Sequence, residues 1–185
     1  AGRYPATSAS SLKRLEKKPM AGITFKGQPT RTAGSLPAIG SKAPDFELTG
    51  TDLAQYTLGQ WSGQRKLLNI FPSIDTPVCA ASARRFNEEA SRYADTVMLN
   101  VSADLPFAQK RWCGAAGVDK VVTLSDHREA AFGSAFGVLI KELRLLARSI
   151  FFVDRNGIVQ YIQHVKELSE EPDYDAVIEA AKKLS

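Results

Sequence analysis

The stretch Lys66-Leu67-Leu68-Asn69-Ile70-Phe71 constrains this chain more than any other, because it is short, mostly apolar and closed by Pro72. Runs of this kind form parallel strands covered on both faces, so the fold must place other elements on either side of it. After Pro77 the periodicity changes. Cys79, Ala83, Phe86 and Ala90 recur at helical spacing, while Arg84 and Arg85 stand four residues before Glu88 and Glu89. A strand that passes through Pro72-Ser73-Ile74-Asp75-Thr76-Pro77-Val78 into a helix puts Cys79 in the first helical turn. There it is close to unpaired backbone N–H groups and the positive end of the helix dipole. Both favour the thiolate, the nucleophilic form of cysteine. A small buried hydrophobe is the other role open to Cys79, and its position alone does not separate the two.

The only other cysteine is Cys113. The wide separation excludes a Cys-x-x-Cys redox motif and a paired-cysteine zinc knuckle. With only His127 and His164 to complete a ligand set, no spacing points to a metal site. Leu105-Pro106-Phe107-Ala108-Gln109-Lys110-Arg111-Trp112 reads as a second helix, with Asp104 as its N-cap and Gly114 as its stop. Cys113 then sits at a helix C-terminus, where the dipole disfavours a thiolate, so the two thiols should differ in reactivity. A static disulfide is the competing reading, but a chain of 185 residues can bury its own core without one.

The segment Phe71-Pro72-Ser73-Ile74-Asp75-Thr76-Pro77-Val78-Cys79-Ala80-Ala81-Ser82 resembles the active-site segment of the bacterial thiol peroxidases, the atypical two-cysteine branch of the peroxiredoxins. Ser102-Ala103-Asp104-Leu105-Pro106-Phe107-Ala108-Gln109, followed by Trp112-Cys113-Gly114, resembles the segment that carries their resolving cysteine, and Ala147-Arg148-Ser149 resembles the surroundings of their late arginine. The resemblance runs from about Met20 to the C-terminus. One departure is visible: the segment between Gly137 and Arg148 reads as shortened, which bears on the rim of a peroxide pocket rather than on its chemistry.

The resemblance implies roles for five residues. Cys79 would be the peroxidatic cysteine, whose thiolate attacks a peroxide oxygen and is left as a sulfenic acid. Thr76 would direct its hydroxyl toward the peroxide, Pro72 would shield the sulfur without offering an N–H, and Arg148 would stabilise both the thiolate and the charge on the departing oxygen. Cys113 would then form an intramolecular disulfide with Cys79, to be reduced by an external dithiol. The same resemblance implies no cofactor, hydrogen peroxide and organic hydroperoxides as substrates, a thioredoxin as reductant, and a homodimer. Taken alone, Arg148 would be an ordinary surface arginine and Thr76 a helix N-cap. Because the two cysteines fall on separate helices, joining them requires one helix end to unwind, and Gly114 and Gly117 flank Cys113.

Further strands are expected at 96–101, 121–124, 149–153 and 158–163, alternating with helical patterns after Asp104, Asp126 and Asp173. Asp154-Arg155-Asn156-Gly157 is a hairpin turn between the last two. With the resemblance, this order predicts an α/β, thioredoxin-like fold: a mixed central sheet flanked by helices, with an N-terminal β-hairpin at Ile23-Thr24-Phe25-Lys26-Gly27-Gln28-Pro29-Thr30. The domain would span 20–185. No apolar run is long enough to span a bilayer.

Residues 1–19 contain Arg3, Lys13, Arg14, Lys17 and Lys18 against Glu16, an excess equal to the formal net charge of +4 for the whole chain. The rest is near neutral. This tail is read as disordered, either a remnant of cloning or part of a targeting peptide, with the remnant favoured because Met20-Ala21-Gly22 looks like a natural start. On that reading the expected compartment is the cytoplasm, where a disulfide is transient and catalytic. The tail has no aromatic interleaving in its basic run, so neither nucleic acid nor membrane is an expected partner. Two other classes stay open at this point: a binding module of the same fold with inert thiols, and a nucleic-acid or membrane-surface binder acting through the tail.

Overall fold

The computed structural model describes residues 22–93 and 95–183. Three parallel strands, β5 (Arg65–Ile70), β6 (Thr96–Ser102) and β7 (Val122–Ser125), form the middle of a seven-stranded sheet. On one side β10 (Ser149–Val153) runs antiparallel to β5, followed by β11 (Val159–His164). On the other side β3 (Glu47–Gly50) runs antiparallel to β7, followed by β4 (Gln55–Thr57). All six residues of β5 are buried: Leu67, Leu68 and Ile70 in the core, and Arg65, Lys66 and Asn69 with polar partners in Asp95, the Trp61 carbonyl and Asn100.

Both faces of the sheet are covered. On one, Leu68, Ile70, Leu99, Val101, Leu124 and Phe151 pack with Phe132 of α3 (Ala131–Ala135). On the other, Leu67, Met98, Ile150 and Phe152 pack with Phe86 of α1 (Pro77–Ala90) and with Val177 and Ala181 of α4 (Tyr174–Lys183). Each such side chain contributes ~2 kcal/mol by leaving water. The helix α2 (Pro106–Ala116) lies against β7. Beneath α1, Ser82 Oγ donates to Asn69 Oδ1 at 2.8 Å and Asn69 Nδ2 to Asn100 Oδ1 at 2.8 Å, a buried polar chain that fixes the helix over β5 and β6.

The expected N-terminal hairpin is present as β1 (Gly22–Phe25) and β2 (Gln28–Ala33), closed by Lys26 and Gly27 with φ of 51° and 74°. Two positive φ values at the turn match the twist of the strands. The hairpin extends into a four-stranded sheet through β8 (Leu139–Ile140) and β9 (Leu145–Leu146), which fill the segment read as shortened. Those two strands and the β3–β4 hairpin were not expected. The strands marked in the sequence match β6, β7, β10 and β11 to within a residue or so at each end. At the Asp154-Arg155-Asn156-Gly157 turn the Asp154 carboxylate accepts from Asn156 N and Ile158 N at 2.8 and 2.9 Å. The reading of residues 1–19 lies outside the described residues.

Two expectations about α2 are corrected. Asp104 does not cap it: Leu105 occupies the N-cap with no side-chain bond, and the Asp104 carboxylate accepts instead from Ser73 Oγ, Ile74 N and Ser102 Oγ, each at 2.7 Å. Gly114 does not stop it. The helix continues to Ala116, and Gly117, at φ 65°, supplies the left-handed C-terminal residue. A glycine inside a helix costs about 1 kcal/mol, which is too little to end it one turn before a good terminator.

Candidate active site

Thr76 starts α1 from extended backbone, φ −95° and ψ 143°, and its Oγ1 accepts from Cys79 N at 3.3 Å. Pro77 takes the first helical position, where a missing N–H leaves nothing unsatisfied. These local choices put Cys79 in the first turn, as the sequence predicts. Its side chain is fully buried and packs with Phe71, Ile74 and Ala83, and with Trp112 from α2.

Arg148 reaches the same sulfur. It precedes Ser149, which stands opposite Ile70 in the antiparallel pairing of β10 and β5, so Arg148 lies beside the end of β5 where the loop to Cys79 begins. Its Nη2 donates to Cys79 Sγ at 3.3 Å and to the Leu168 carbonyl at 3.0 Å. Only 1% of Arg148 is exposed, and its Nε and Nη1 have no hydrogen-bond partner among the described residues. Buried guanidinium donors left unpaired are costly, and they are suited to an acceptor oxygen delivered to this point.

A cavity of about 410 Å³ opens here, lined by Pro72, Thr76, Val78 and Arg148 on the side of the cysteine loop and by Phe25 and Leu143 on the other. Of the five predicted residues, Pro72, Thr76 and Arg148 line this cavity, and Cys79 is buried behind that lining, bonded to Arg148 Nη2 through its sulfur and to Thr76 Oγ1 through its backbone N–H. Thr76 Oγ1 is also within 3.2 Å of the Ser73 carbonyl, to which it donates, so its proton is held by the loop and its lone pair by Cys79 N.

Cys113 is not at this cavity. Its Sγ lies 3.5 Å from Thr123 Oγ1, both cysteines are free, and burial pushes the Cys113 thiol above its ordinary value, with the Thr123 contact acting in the opposite direction. The sequence reading did not find the Leu168 carbonyl, a backbone group with no signature of its own. Nor did it find the Asp104 bonds to the Ser73-Ile74 loop, or the stacking of Arg84 over the Trp112 ring at 5.1 Å. Arg84 was expected to face Glu88; only the neighbouring pair, Arg85 and Glu89, forms an ion pair, at 3.5 Å.

Among the described residues no helix is long and apolar enough to cross a membrane. A family model described as Redoxin matches residues 38–178. A thiol peroxidase of Bacillus subtilis (strain 168) is 53% identical over 165 residues, covering 89% of this chain and 99% of that protein. A thiol peroxidase of Listeria innocua is 50% identical over 164 residues, with the same coverage. Among solved structures, a peroxiredoxin-like protein from Aquifex aeolicus superposes with a TM-score of 0.84 at 36% identity, covering 90% of this chain and 99% of that one. A thiol peroxidase from Chromobacterium violaceum, at 20% identity and a TM-score of 0.79, shares the fold. A buried first-turn cysteine under a guanidinium, on a thioredoxin-like sheet, is therefore found in a chain that belongs to the thiol peroxidases of the Redoxin family, peroxidases that work through thiol chemistry.

Proposed function

We propose that Cys79 is the peroxidatic cysteine and Cys113 the resolving one, in a cycle that reduces hydrogen peroxide and organic hydroperoxides. The observation that carries the reading is the Arg148 guanidinium 3.3 Å from Cys79 Sγ, with two further donors free beside a cavity wide enough for a hydroperoxide. The Cys79 thiolate attacks one peroxide oxygen; the O–O bond breaks, an S–O bond forms, and the other oxygen leaves as an alkoxide or hydroxide that takes up a proton. Arg148 bears the charge that moves from sulfur to that oxygen. Pro72 and Val78 line the entry with apolar surface, and the Thr76 cap orients the first turn of α1. This assignment gives Pro72 a shielding role and Thr76 a positioning one.

The Cys113 thiol then attacks the sulfenic sulfur of Cys79, forming a disulfide and releasing water. A thioredoxin restores both thiols by exchange. The step asks α2 to rearrange, since Cys113 rests against Thr123 while its neighbour Trp112 packs on the cluster that contains Cys79. Support for that movement comes from how little holds the helix: of its residues only Pro106 and Gln109 are buried. The resemblance extends the proposal to a homodimer working in the cytoplasm, and sedimentation of the purified chain tests the first of these.

Single-cysteine variants test the cycle. Cys79→Ser should abolish peroxide consumption, whereas Cys113→Ser should consume one equivalent and stall. A Cys113→Ser variant that cycles with thioredoxin like the wild type would remove Cys113 from the mechanism.

A further inference from the structure

One wall of the cavity takes no part in the chemistry above. Phe25 and Lys26, at the turn of the β1–β2 hairpin, line it with Leu143, Leu145 and Leu168. Phe25 is 41% exposed and Leu143 44%, so the side of the cavity facing Pro72 and Val78 is an apolar rim open to solvent. A two-stranded hairpin is marginal by itself, and its tip stays in one place only if something holds it.

Glu167 holds it. Its carboxylate accepts from Thr24 Oγ1 at 2.7 Å, Lys26 N at 3.1 Å and Gly27 N at 3.1 Å in the hairpin, and from Ser169 Oγ at 2.7 Å and Ser169 N at 3.1 Å in its own segment. Backbone bonds continue the contact, from Thr24 N to the Lys166 carbonyl at 2.6 Å and from Leu168 N to the Thr24 carbonyl at 3.0 Å. The Ser169 and Thr24 hydroxyls and the Gly27 amide hold the Glu167 carboxyl at about 2, so it remains an anionic acceptor through the neutral range. The next residue, Leu168, provides the carbonyl that receives Arg148 Nη2. One short strap therefore connects the hairpin tip to the guanidinium over Cys79.

Building on the peroxidase reading of Cys79 and Arg148, we propose that Glu167 is a positioning residue that fixes Phe25 at the cavity and so sets the preference for organic hydroperoxides over hydrogen peroxide. Hydrogen peroxide needs only the sulfur and Arg148. An organic hydroperoxide must also place its apolar group, and Phe25, Leu143 and Leu145 are the surface available to it. Loss of one such apolar contact changes discrimination by about tenfold.

The test compares the full chain with Glu167→Ala, Glu167→Gln and Phe25→Ala, measuring peroxide consumption with excess dithiothreitol and either cumene hydroperoxide or hydrogen peroxide. Glu167→Ala and Phe25→Ala should each lower kcat/KM for cumene hydroperoxide about tenfold more than kcat/KM for hydrogen peroxide, the excess lying mainly in KM. Glu167→Gln, which keeps one acceptor oxygen, should fall between them and the wild type. Equal losses on both substrates would reduce Glu167 to a fold staple, and no loss on either would remove it from the site; both overturn the proposal. Should Glu167→Ala fail to fold, the Gln variant decides by the same ratio. A wild type that consumes neither peroxide refutes the peroxidase reading itself, a result distinct from a change in the ratio.

Discussion

Replacing Arg148 by alanine separates what this side chain does for the reaction from what it does for the fold. At 3.3 Å, a full charge on the guanidinium and one on Cys79 Sγ interact by about 5 kcal/mol at an effective dielectric of about 20, an upper bound because the gain is offset by desolvation. Loss of a single donor to a developing oxyanion elsewhere costs about 3–4 kcal/mol, so oxidation of Cys79 should slow by ~10²–10³-fold. Stability should change less than for other large buried side chains. The substitution breaks the bond to the Leu168 carbonyl, but it also removes Nε and Nη1, buried donors without protein partners that cost about 1–3 kcal/mol each. Arg148→Lys keeps the charge but lacks a planar group that can reach Cys79 Sγ and Leu168 O together, so it should fall between alanine and wild type. Quenched-flow counting of free thiols after one peroxide addition gives the rate, and thermal unfolding gives the stability. A folded Arg148→Ala protein that is oxidised within about threefold of the wild-type rate would refute the assignment of Arg148.

Thr76→Val keeps the volume of the side chain and removes the acceptor for Cys79 N; it should cost ~1 kcal/mol in urea unfolding and slow the oxidation of Cys79, and a variant unchanged in both would show the cap to be dispensable. Burial holds the His164 imidazole below its ordinary value of 6.5, so the folded state favours the neutral ring. Its contribution to stability is present above the unfolded value and is lost as pH falls toward the lowered folded one. The urea midpoint should therefore drop as pH falls below the ordinary value of 6.5, less so in His164→Gln, and identical pH profiles for the two proteins would exclude His164 as the cause.

The parts of the site that the sequence discloses are those set by local chemistry. An apolar run, a proline, a capping threonine and an amphipathic period are enough to put Cys79 in a first helical turn, and the structure places it there. Arg148 was visible only through resemblance, because its reach to Cys79 depends on the antiparallel register of β10 against β5, which no local pattern encodes. Asp104 shows how local reasoning fails. An aspartate two residues before a proline suggests a cap, but Ser73, Ile74 and Ser102 offer three donors to the same carboxylate, and tertiary partners prevailed. Glu167 was invisible for the same reason: three of its five donors come from the hairpin at the far end of the chain.

These clamps also bound the movement that the proposed disulfide requires. Asp104, two residues before α2, is tied to the Ser73-Ile74 loop, and Asn87 Oδ1 on α1 accepts from Asp119 N and Lys120 N at 3.1 and 2.7 Å just after it. Between those points the helix fully buries only Pro106 and Gln109 and leaves Leu105 and Phe107 exposed, so the apolar contact that unwinding gives up is chiefly that of Trp112 with the cluster around Cys79. On the other side of the bond, Ser82 anchors the second turn of α1 to Asn69 and Asn100, which limits any fraying to the turn that contains Cys79. The sheet contacts of Leu67, Phe86 and Phe152 need not change. On the proposed assignment, these fixed ends let Cys113 leave Thr123 and approach Cys79 while the core stays intact, and they favour its return once the two thiols are restored.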